Sequence, residues 1–175
     1  MTRNILIFGL LSGLVITSWM VYAASACYAN PEFESNEVLG YAGMIAAFSF
    51  IFVGIKNHRD KHNQGIISFG KAFKTGFLIA LVAATMYTVV WLIDYYVFIP
   101  EFIDKYTQHV LYEARLKGLT DSEVDLKAQE MAKFKEMYKN PLFIIVVTYL
   151  EVLPVGTIVA LISALILKKK SKVSD

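Results

Sequence analysis

The sequence has a single cysteine, Cys27, and lacks the short motifs that mark many enzyme active sites. With one cysteine the chain can form neither an intramolecular disulfide nor a cysteine-rich metal site. It contains no glycine-rich phosphate-binding loop and no histidine–carboxylate metal motif. We therefore expect no enzymatic activity, no cofactor and no metal ion. Nucleic acid is not an expected partner either.

Apolar residues dominate what the chain does contain. They make up 56% of the 175 residues, and the mean hydropathy is +0.50, whereas a soluble domain is roughly 45–50% apolar. The excess lies in four long runs, at about 5–24, 38–55, 73–98 and 141–167, and each can cross a bilayer. We predict a single domain, 1–175, that is an all-α polytopic membrane protein. Its four transmembrane helices form a bundle packed by small residues.

The first run has an alternative interpretation as a cleaved signal peptide. Ala24-Ser25-Ala26-Cys27 suggests a lipoprotein cleavage box, although alanine stands where leucine is usual. However, the apolar part exceeds the roughly 7–15 residues of a signal core. Gly9 and Gly13 have the spacing that lets transmembrane helices approach each other closely. We therefore predict an uncleaved first transmembrane helix.

The segment 101–140 is the main hydrophilic region, and its pattern predicts two helices. Apolar residues recur at helical spacing on both sides of Gly118, which is a good helix stop. Thr120 with Glu123 three residues later is a capping box for the second helix. Asn140 and Pro141 then supply an N-cap and a first-turn proline for the last run. We predict an ordered helical hairpin, which either caps the bundle or lies on the membrane surface.

The connection between the second and third runs, at about 56–70, is predicted to be a polar loop, with Ser68 as the N-cap of the next helix. His58 and His62 are four residues apart and could bind a metal ion from one helix face. Since no cysteine is near them, we expect them to lie in a solvated loop instead.

Basic residues are concentrated at the head of the chain, in the 56–74 connection and in the tail. They are Arg3, Lys56, Arg59, Lys61, Lys71, Lys74, Lys168, Lys169, Lys170 and Lys172. Only Asp60 and Asp175 oppose them. Short loops rich in lysine and arginine stay cytoplasmic, so we predict cytoplasmic N- and C-termini and an extracytoplasmic hairpin. Lipid headgroups are the expected contacts of four of these residues, Lys56, Arg59, Lys71 and Lys74.

Several short segments resemble a known membrane family. They are Arg59-Asp60, GIISFGKAFKTG at 65–76, Lys139-Asn140-Pro141 and TYLEVLPVG at 148–156. The chain is similar over nearly its whole length to the family catalogued as domain of unknown function 4199, and the SFGK and glutamate–proline–glycine segments are the most specific parts. The resemblance implies a small multi-pass protein of the bacterial inner membrane. It implies no activity, because the family has none established.

Glu151 is the one carboxylate in the interior of the last run. It stands about ten residues, or ~15 Å, from the start of that helix and so near mid-bilayer. An ionised carboxylate there costs at least ~2.5–3.5 kcal/mol, so Glu151 must be protonated, paired or next to water. It is either a structural hydrogen-bonding group or a site for a proton, a cation or a polar substrate. Its expected structural partners are Thr17, Tyr22, Ser49 and Tyr87.

Pro154 and Tyr149 extend this hypothetical intramembrane polar site. Pro154 has no N–H to donate to the carbonyl of Leu150, so it frees an acceptor beside Glu151. Asp94, near the end of the third run, is either an interfacial anion wetted by headgroup water or a second carboxylate in one vestibule with Glu151. In that vestibule Tyr95, Tyr96 and Tyr149 would supply hydroxyls, and two carboxylates would raise each other's proton affinity.

These features lead to a first and an alternative functional hypothesis. The first is a non-enzymatic accessory or structural membrane protein, either a homo-oligomer or a subunit of an envelope complex. The alternative is a small transporter, or a proton- or cation-coupled module, that uses Glu151. The expected partners are the lipid bilayer and either a second copy or another envelope protein.

Overall fold

The computed structural model describes residues 1–30, 33 and 37–169, and these ranges contain six α-helices. The helices are α1 (Thr2–Ala29), α2 (Glu37–His62), α3 (Phe69–Ile93), α4 (Phe102–Leu116), α5 (Asp121–Met137) and α6 (Pro141–Leu167). A π-helical turn, Asp94–Phe98, continues α3. Four helices, α1, α2, α3 with its π turn, and α6, are long and apolar enough to cross a membrane. The predicted all-α fold with four membrane spans and a helical hairpin between the third and fourth is confirmed.

The predicted polar loop after the second run is wrong over its first half. α2 does not stop with its apolar residues at Ile55 but continues through the polar residues to His62. Lysine, arginine and aspartate are compatible with a helix, so the end of an apolar run need not end the helix. The next helix starts earlier than the apolar run suggests, at Phe69, because the Ser68 side chain accepts a hydrogen bond from the N–H of Lys71 (3.4 Å).

The hairpin has the caps that its sequence predicts. The Thr120 hydroxyl accepts from the N–H of Glu123 (3.4 Å), and the Glu123 carboxylate accepts from the N–H of Thr120 (2.8 Å). Gly118, with φ of +76°, adopts the left-handed conformation that glycine tolerates best. The Asn140 side chain accepts from the N–H of Leu142 (2.9 Å), and Pro141 occupies the first turn of α6.

The long helices pack through small residues. α3 contacts α1, α2 and α6, and α2 also contacts α1 and α6. A β-carbon built on Gly156 of α6 would lie 2.8 Å from the β-carbon of Ala80 on α3. One built on Gly76 of α3 would lie 3.0 Å from that of Ala160 on α6. These pairs place the backbones of α3 and α6 close together, as the small-residue spacing predicts.

Both ends of the described chain lie at one end of the long helices. The Asn4 side-chain amide donates to the carbonyl of Gly54 (2.9 Å), which joins α1 to α2. Ile67 and Lys169 exchange two backbone hydrogen bonds, of 3.1 and 2.9 Å, which join the α2–α3 connection to the end of α6. The hairpin lies at the opposite end, where Lys105 donates to the carbonyl of Tyr28 in α1 (3.0 Å). Lys170, Lys172 and Asp175, which contribute to the orientation prediction, lie outside the described residues.

Candidate functional site

A cavity of about 1090 Å³ lies between the hairpin and the hairpin-side halves of the long helices. Residues from all four long helices and from both hairpin helices line it. They include Met20 and Cys27 of α1, Met44 of α2, Tyr87 and Trp91 of α3, Thr148 and Glu151 of α6, Phe102 of α4 and Phe134 of α5. A volume of this size matches the pockets that hold drug-sized ligands. The cavity is therefore the candidate binding site for a small molecule.

Aromatic side chains hold the hairpin over this cavity. Trp91 of α3 packs edge-on against Phe102 of α4, with 5.2 Å between ring centroids. Tyr95 of the π turn packs against Tyr138, just after α5, at 5.3 Å, and Tyr138 packs against Phe134 at 5.2 Å. Aromatic pairs of this geometry each contribute about 0.5–1.5 kcal/mol beyond their buried area. The hairpin therefore caps the long helices, which answers a question that the sequence left open.

Glu151 projects into the cavity from α6. Its side chain is exposed, and it lines the wall with Val147 and Thr148 of the preceding turn. No hydrogen bond or ion pair joins it to another residue in the described part of the chain. The hydroxyls proposed as its structural partners are not bonded to it. Ser49 instead donates to the carbonyl of Ala46 (2.6 Å), and the Thr17 hydroxyl is buried without a partner among the described residues.

Tyr87 and Tyr138 are close enough to Glu151 for its charge to act on both. Burial raises the pKa of Tyr138 to about 12, while a hydrogen bond from Trp91 acts in the opposite direction and the Glu151 charge adds a smaller increase. The Tyr138 hydroxyl is therefore neutral at physiological pH. The hairpin side of the cavity near Glu151 presents aromatic faces and a neutral hydroxyl.

Pro154 lies on the opposite side of α6 from the buried face. Both Pro154 and Leu150 are exposed, Leu150 to 67%, and neither lines the cavity. The carbonyl that Pro154 leaves without its helical donor therefore lies on the outer surface of α6 and not in the pocket with Glu151. α6 remains helical through this position.

Tyr149 ties α6 to α3 instead of lining the cavity. Its hydroxyl lies 2.7 Å from the hydroxyl of Thr85. The Thr85 hydroxyl donates its hydrogen to the carbonyl of Leu81 (2.7 Å), so the Tyr149 hydroxyl is the donor of the bond between the helices. The structure therefore does not place Tyr149 in the same pocket as Glu151, contrary to the prediction.

Asp94 is buried at the start of the π turn, with 5% of its surface exposed. It is neither a wetted interfacial anion nor a lining residue of the Glu151 cavity, so both expectations for its surroundings are corrected. The hairpin packs against this end of α3, where the neighbouring Tyr95 contacts Tyr138. One carboxylate oxygen is buried with no hydrogen-bond partner among the described residues. π-Helical turns are frequent at functional sites. Here, however, Asp94 belongs to the π turn and does not line the cavity.

Comparison with known protein families gives a match over nearly the whole chain. The family model described as "Protein of unknown function (DUF4199)" matches residues 6–169. The chain belongs to this family. No curated protein and no solved structure matches the chain. The resemblance identified from the SFGK and glutamate–proline–glycine segments is therefore confirmed. Because the function of the DUF4199 family is unknown, membership assigns no particular activity to the chain.

The end of this DUF4199 protein opposite the hairpin is basic. Lys56, Lys71 and Lys74 are exposed and Arg59 is half-buried. Arg59 pairs with Asp60 (2.6 Å) and also donates to the carbonyl of Leu167 at the end of α6 (3.4 Å). The structure therefore brings the four predicted headgroup contacts to one end of the molecule, with Arg59 partly engaged by the protein itself.

His58 is buried in α2 of the DUF4199 protein and is not in a solvated loop. It is 4% exposed, and neither ring nitrogen has a hydrogen-bond partner in the described chain. The ring of His62 lies 5.7 Å away. The described residues contain no group of three or more side chains that could hold a metal ion. The expectation of a solvated loop is wrong because α2 extends through both histidines.

Sequence patterns did not reveal the aromatic lining of the DUF4199 cavity. The sequence predicted Tyr87 only as a hydrogen-bond partner of Glu151, and it did not predict Trp91 as part of the site. Tyr138 lies in the hairpin, nearly fifty residues from Trp91. Only its recurrence at helical spacing with Phe134 hinted that it faces the rest of the protein.

Proposed function

We propose that this protein is a non-enzymatic accessory protein of the bacterial inner membrane, and that its working part is the cavity beneath the hairpin. The observation that carries the proposal is the covered cavity itself. Four apolar helices would need no capping hairpin and no internal carboxylate to span a bilayer. Here the hairpin helps to line a half-open cavity of about 1090 Å³ that Glu151 also lines. A cavity of this size next to a carboxylate can bind a small molecule.

The proposal includes an orientation and partners. The basic end, with both termini, faces the cytoplasm, and the hairpin faces the outside, in agreement with the distribution of lysine and arginine. The four-helix bundle is surrounded by lipid, and Lys56, Lys71 and Lys74 contact anionic headgroups. A second copy or another envelope protein binds the exposed helix faces. The hairpin then controls access to the cavity from the extracytoplasmic side.

Binding of a neutral dye tests the cavity without reference to charge. The two tryptophans of the chain, Trp19 and Trp91, both line the cavity, so Nile red bound there accepts energy from both. In full-length protein purified in dodecyl maltoside micelles, we expect saturable energy transfer from tryptophan to Nile red. Val147→Phe places a ring in the cavity and should abolish the saturable component.

Val146→Phe is the matched control, because Val146 is 55% exposed on the outer face of α6 and does not line the cavity. It should leave dye binding unchanged. Non-saturable transfer in the unmodified protein, or equal effects of the two substitutions, would show that the cavity is not a binding site and would overturn the proposal.

A second candidate is a transporter or a proton- or cation-coupled module. The observation that favours it is Glu151, a carboxylate at membrane depth with no hydrogen bond or ion pair in the described chain, which could bind a proton or a cation reversibly. Tyr87 and Tyr138 face it, and the hairpin contributes His109, Glu113, Lys117 and Lys127 to the cavity lining. Proteoliposomes with an imposed pH gradient test this candidate. Coupled cation flux that Glu151→Gln abolishes supports it, and equal flux in protein-free liposomes contradicts it.

A further inference from the structure

Among the described carboxylate and lysine side chains that line the cavity, all but one are paired. Glu113 of α4 and Lys117, just after α4, form an ion pair with each other at 3.1 Å. Lys127 of α5 pairs with Glu130 at 3.6 Å. Glu151 is the one acidic or basic lining residue with neither an ion pair nor a hydrogen bond to the described residues. When Glu151 is ionised, its negative charge is therefore the one unpaired charge among these described carboxylates and lysines.

This charge lies deep in the cavity. Glu151 is ten residues after Pro141, so the cavity extends about 15 Å along α6 from the hairpin. At that depth an ionised carboxylate needs a counter-charge, and none of the described residues supplies one. The charged hairpin residues belong to α4 and α5, which cover the cavity. An occupant that neutralises an ionised Glu151 must therefore carry its own positive charge.

The surroundings of Glu151 suit an apolar or aromatic body around that charge. Tyr87, Trp91 and Tyr138 line the same cavity as Glu151. Met20 and Met44 add adaptable apolar surface to the same lining. Aromatic faces attract cations through the ring quadrupole, and groups of aromatic rings are a common means of binding quaternary cations. The combination of a carboxylate and aromatic faces thus selects both for charge and for an apolar body.

Building on the function proposed above, we propose that the cavity binds an organic cation with an apolar body, and that Glu151 supplies the counter-charge. The cationic group lies against the Glu151 carboxylate between the rings of Tyr87 and Tyr138. The apolar body fills the volume bounded by Trp91 and the two methionines. The cationic group can belong to a free organic cation or to the ammonium headgroup of a lipid, since both present the same chemistry to Glu151.

Two probes of equal shape and opposite charge test this inference. Tetraphenylphosphonium and tetraphenylborate differ mainly in the sign of their charge. With full-length protein in uncharged dodecyl maltoside micelles, we expect the cation to bind at least about tenfold more tightly than the anion. Isothermal titration, corrected against empty micelles, measures both affinities. Equal affinities, or a preference for tetraphenylborate, would overturn the inference.

Glu151→Gln keeps the shape of the side chain and removes its charge. We expect it to weaken tetraphenylphosphonium binding by about tenfold or more and to remove the preference over tetraphenylborate. Glu136→Gln removes a charge from a side chain that is 73% exposed, pairs with Lys139 and does not line the cavity, so binding should change by less than about twofold. An unchanged affinity in Glu151→Gln, or equal losses in both variants, would contradict the inference.

The aromatic part of the site is tested separately. Tyr87→Phe retains the ring and should leave cation binding within about twofold, whereas Tyr87→Leu should weaken it by several-fold. Equal affinities in these two variants would remove the ring from the proposed site. Adding phosphatidylethanolamine to the micelles distinguishes the two sources of the cation. Competition that phosphatidylglycerol does not reproduce assigns the site to a lipid ammonium group, and no competition assigns it to a free cation.

The outcome of the dye experiment separates this inference from the function on which it rests. If Nile red binds, and Val147→Phe prevents this, while tetraphenylphosphonium shows no preference over tetraphenylborate, the cavity is a binding site but not for cations. If neither probe binds saturably, the proposed function itself fails.

Discussion

Gly156 of α6 faces Ala80 of α3 so closely that a β-carbon on Gly156 would lie 2.8 Å from the β-carbon of Ala80. The same β-carbon would lie 3.0 Å from the ring of Phe48 on α2. Three long helices therefore meet at a position where only glycine fits without movement. This contact lies one turn and a half below Glu151 on α6 and sets the spacing of α3 and α6 beneath the cavity.

Gly156→Ala should destabilise the protein because the helices must separate to accept one methyl group. Overpacking of this kind costs about 1–3 kcal/mol. Unfolding by denaturing detergent in mixed micelles measures the loss. Gly70→Ala is the matched control, since a β-carbon at Gly70 in the first turn of α3 would meet nothing within 4 Å. Equal stability of the two variants would show that the α3–α6 contact is looser than the structure indicates.

Tyr149 and Thr85 should contribute to stability as a pair. Tyr149→Phe and Thr85→Val each remove the one hydrogen bond between the two side chains, which is worth about 0.6 kcal/mol in a membrane protein. Because the bond is shared, the double variant should lose much less than the sum of the two single losses. Unfolding free energies of the four proteins give the coupling energy.

A hydroxyl that bonds only within its own helix gives the control for this cycle. Thr157 of α6 donates to the carbonyl of Leu153 (2.7 Å). Thr157→Val should show no coupling with Tyr149→Phe. Additive losses in the Tyr149 and Thr85 cycle would mean that the bond between the helices does not form.

The capping box of α5 should make the hairpin sensitive to acid. Hydrogen bonds from the backbone and side chain of Thr120 lower the pKa of Glu123 below its ordinary value of 4.5. The folded hairpin therefore favours the ionised carboxylate. The resulting stabilisation is complete above pH 4.5 and is lost as the pH falls through the lowered pKa of the folded state.

Hydrogen-exchange protection factors of the first turn of α5 measure this effect. They should fall as the pH is lowered below 4.5 in the unmodified protein, whereas Glu123→Gln should show no such dependence. Thr120→Ala, which removes the N-cap, should lower protection at neutral pH by about 1 kcal/mol. A pH dependence that persists in Glu123→Gln would assign it to another carboxylate.

The orientation of the chain can be tested at its two polar ends. Gly118 lies in the turn of the hairpin, and Asn63 lies in the short connection after α2, at the end where the described chain begins and ends. Alkaline phosphatase fused after Gly118 should be active, and the same fusion after Asn63 should be inactive, because the enzyme requires an oxidising compartment to form its disulfides. The reverse pattern would place the hairpin in the cytoplasm.

Local chemistry made much of the fold predictable. The four spans follow from the length of the apolar runs, because each helix in a bilayer must satisfy its own backbone hydrogen bonds. Gly118, Thr120 and Asn140 marked helix ends correctly, since caps and turns depend on residues only a few positions apart. The error at the end of α2 has the same origin. A change from apolar to polar sequence marks the membrane boundary, not the end of a helix.

The candidate site depended on contacts that no local pattern contains. Glu151 was identifiable from the sequence because a carboxylate in an apolar run is unusual. Its surroundings were not, and Pro154, Tyr149 and Asp94 all lie outside the cavity that Glu151 lines. Their directions depend on which face of each helix packs against its neighbours. In a helix that is apolar on all sides, the sequence does not distinguish the packed face from the lipid-facing one.

The amino-acid sequence alone therefore determined the number of membrane spans, the helical hairpin and the position of one carboxylate within α6. Each of these follows from interactions along the chain or from the hydrophobic thickness of a membrane. Only the tertiary structure decided that the hairpin caps the long helices, and that Glu151 faces an aromatic cavity without a counter-charge among the described residues. Those features arise from side chains such as Trp91 and Tyr138, which meet only after the hairpin has docked.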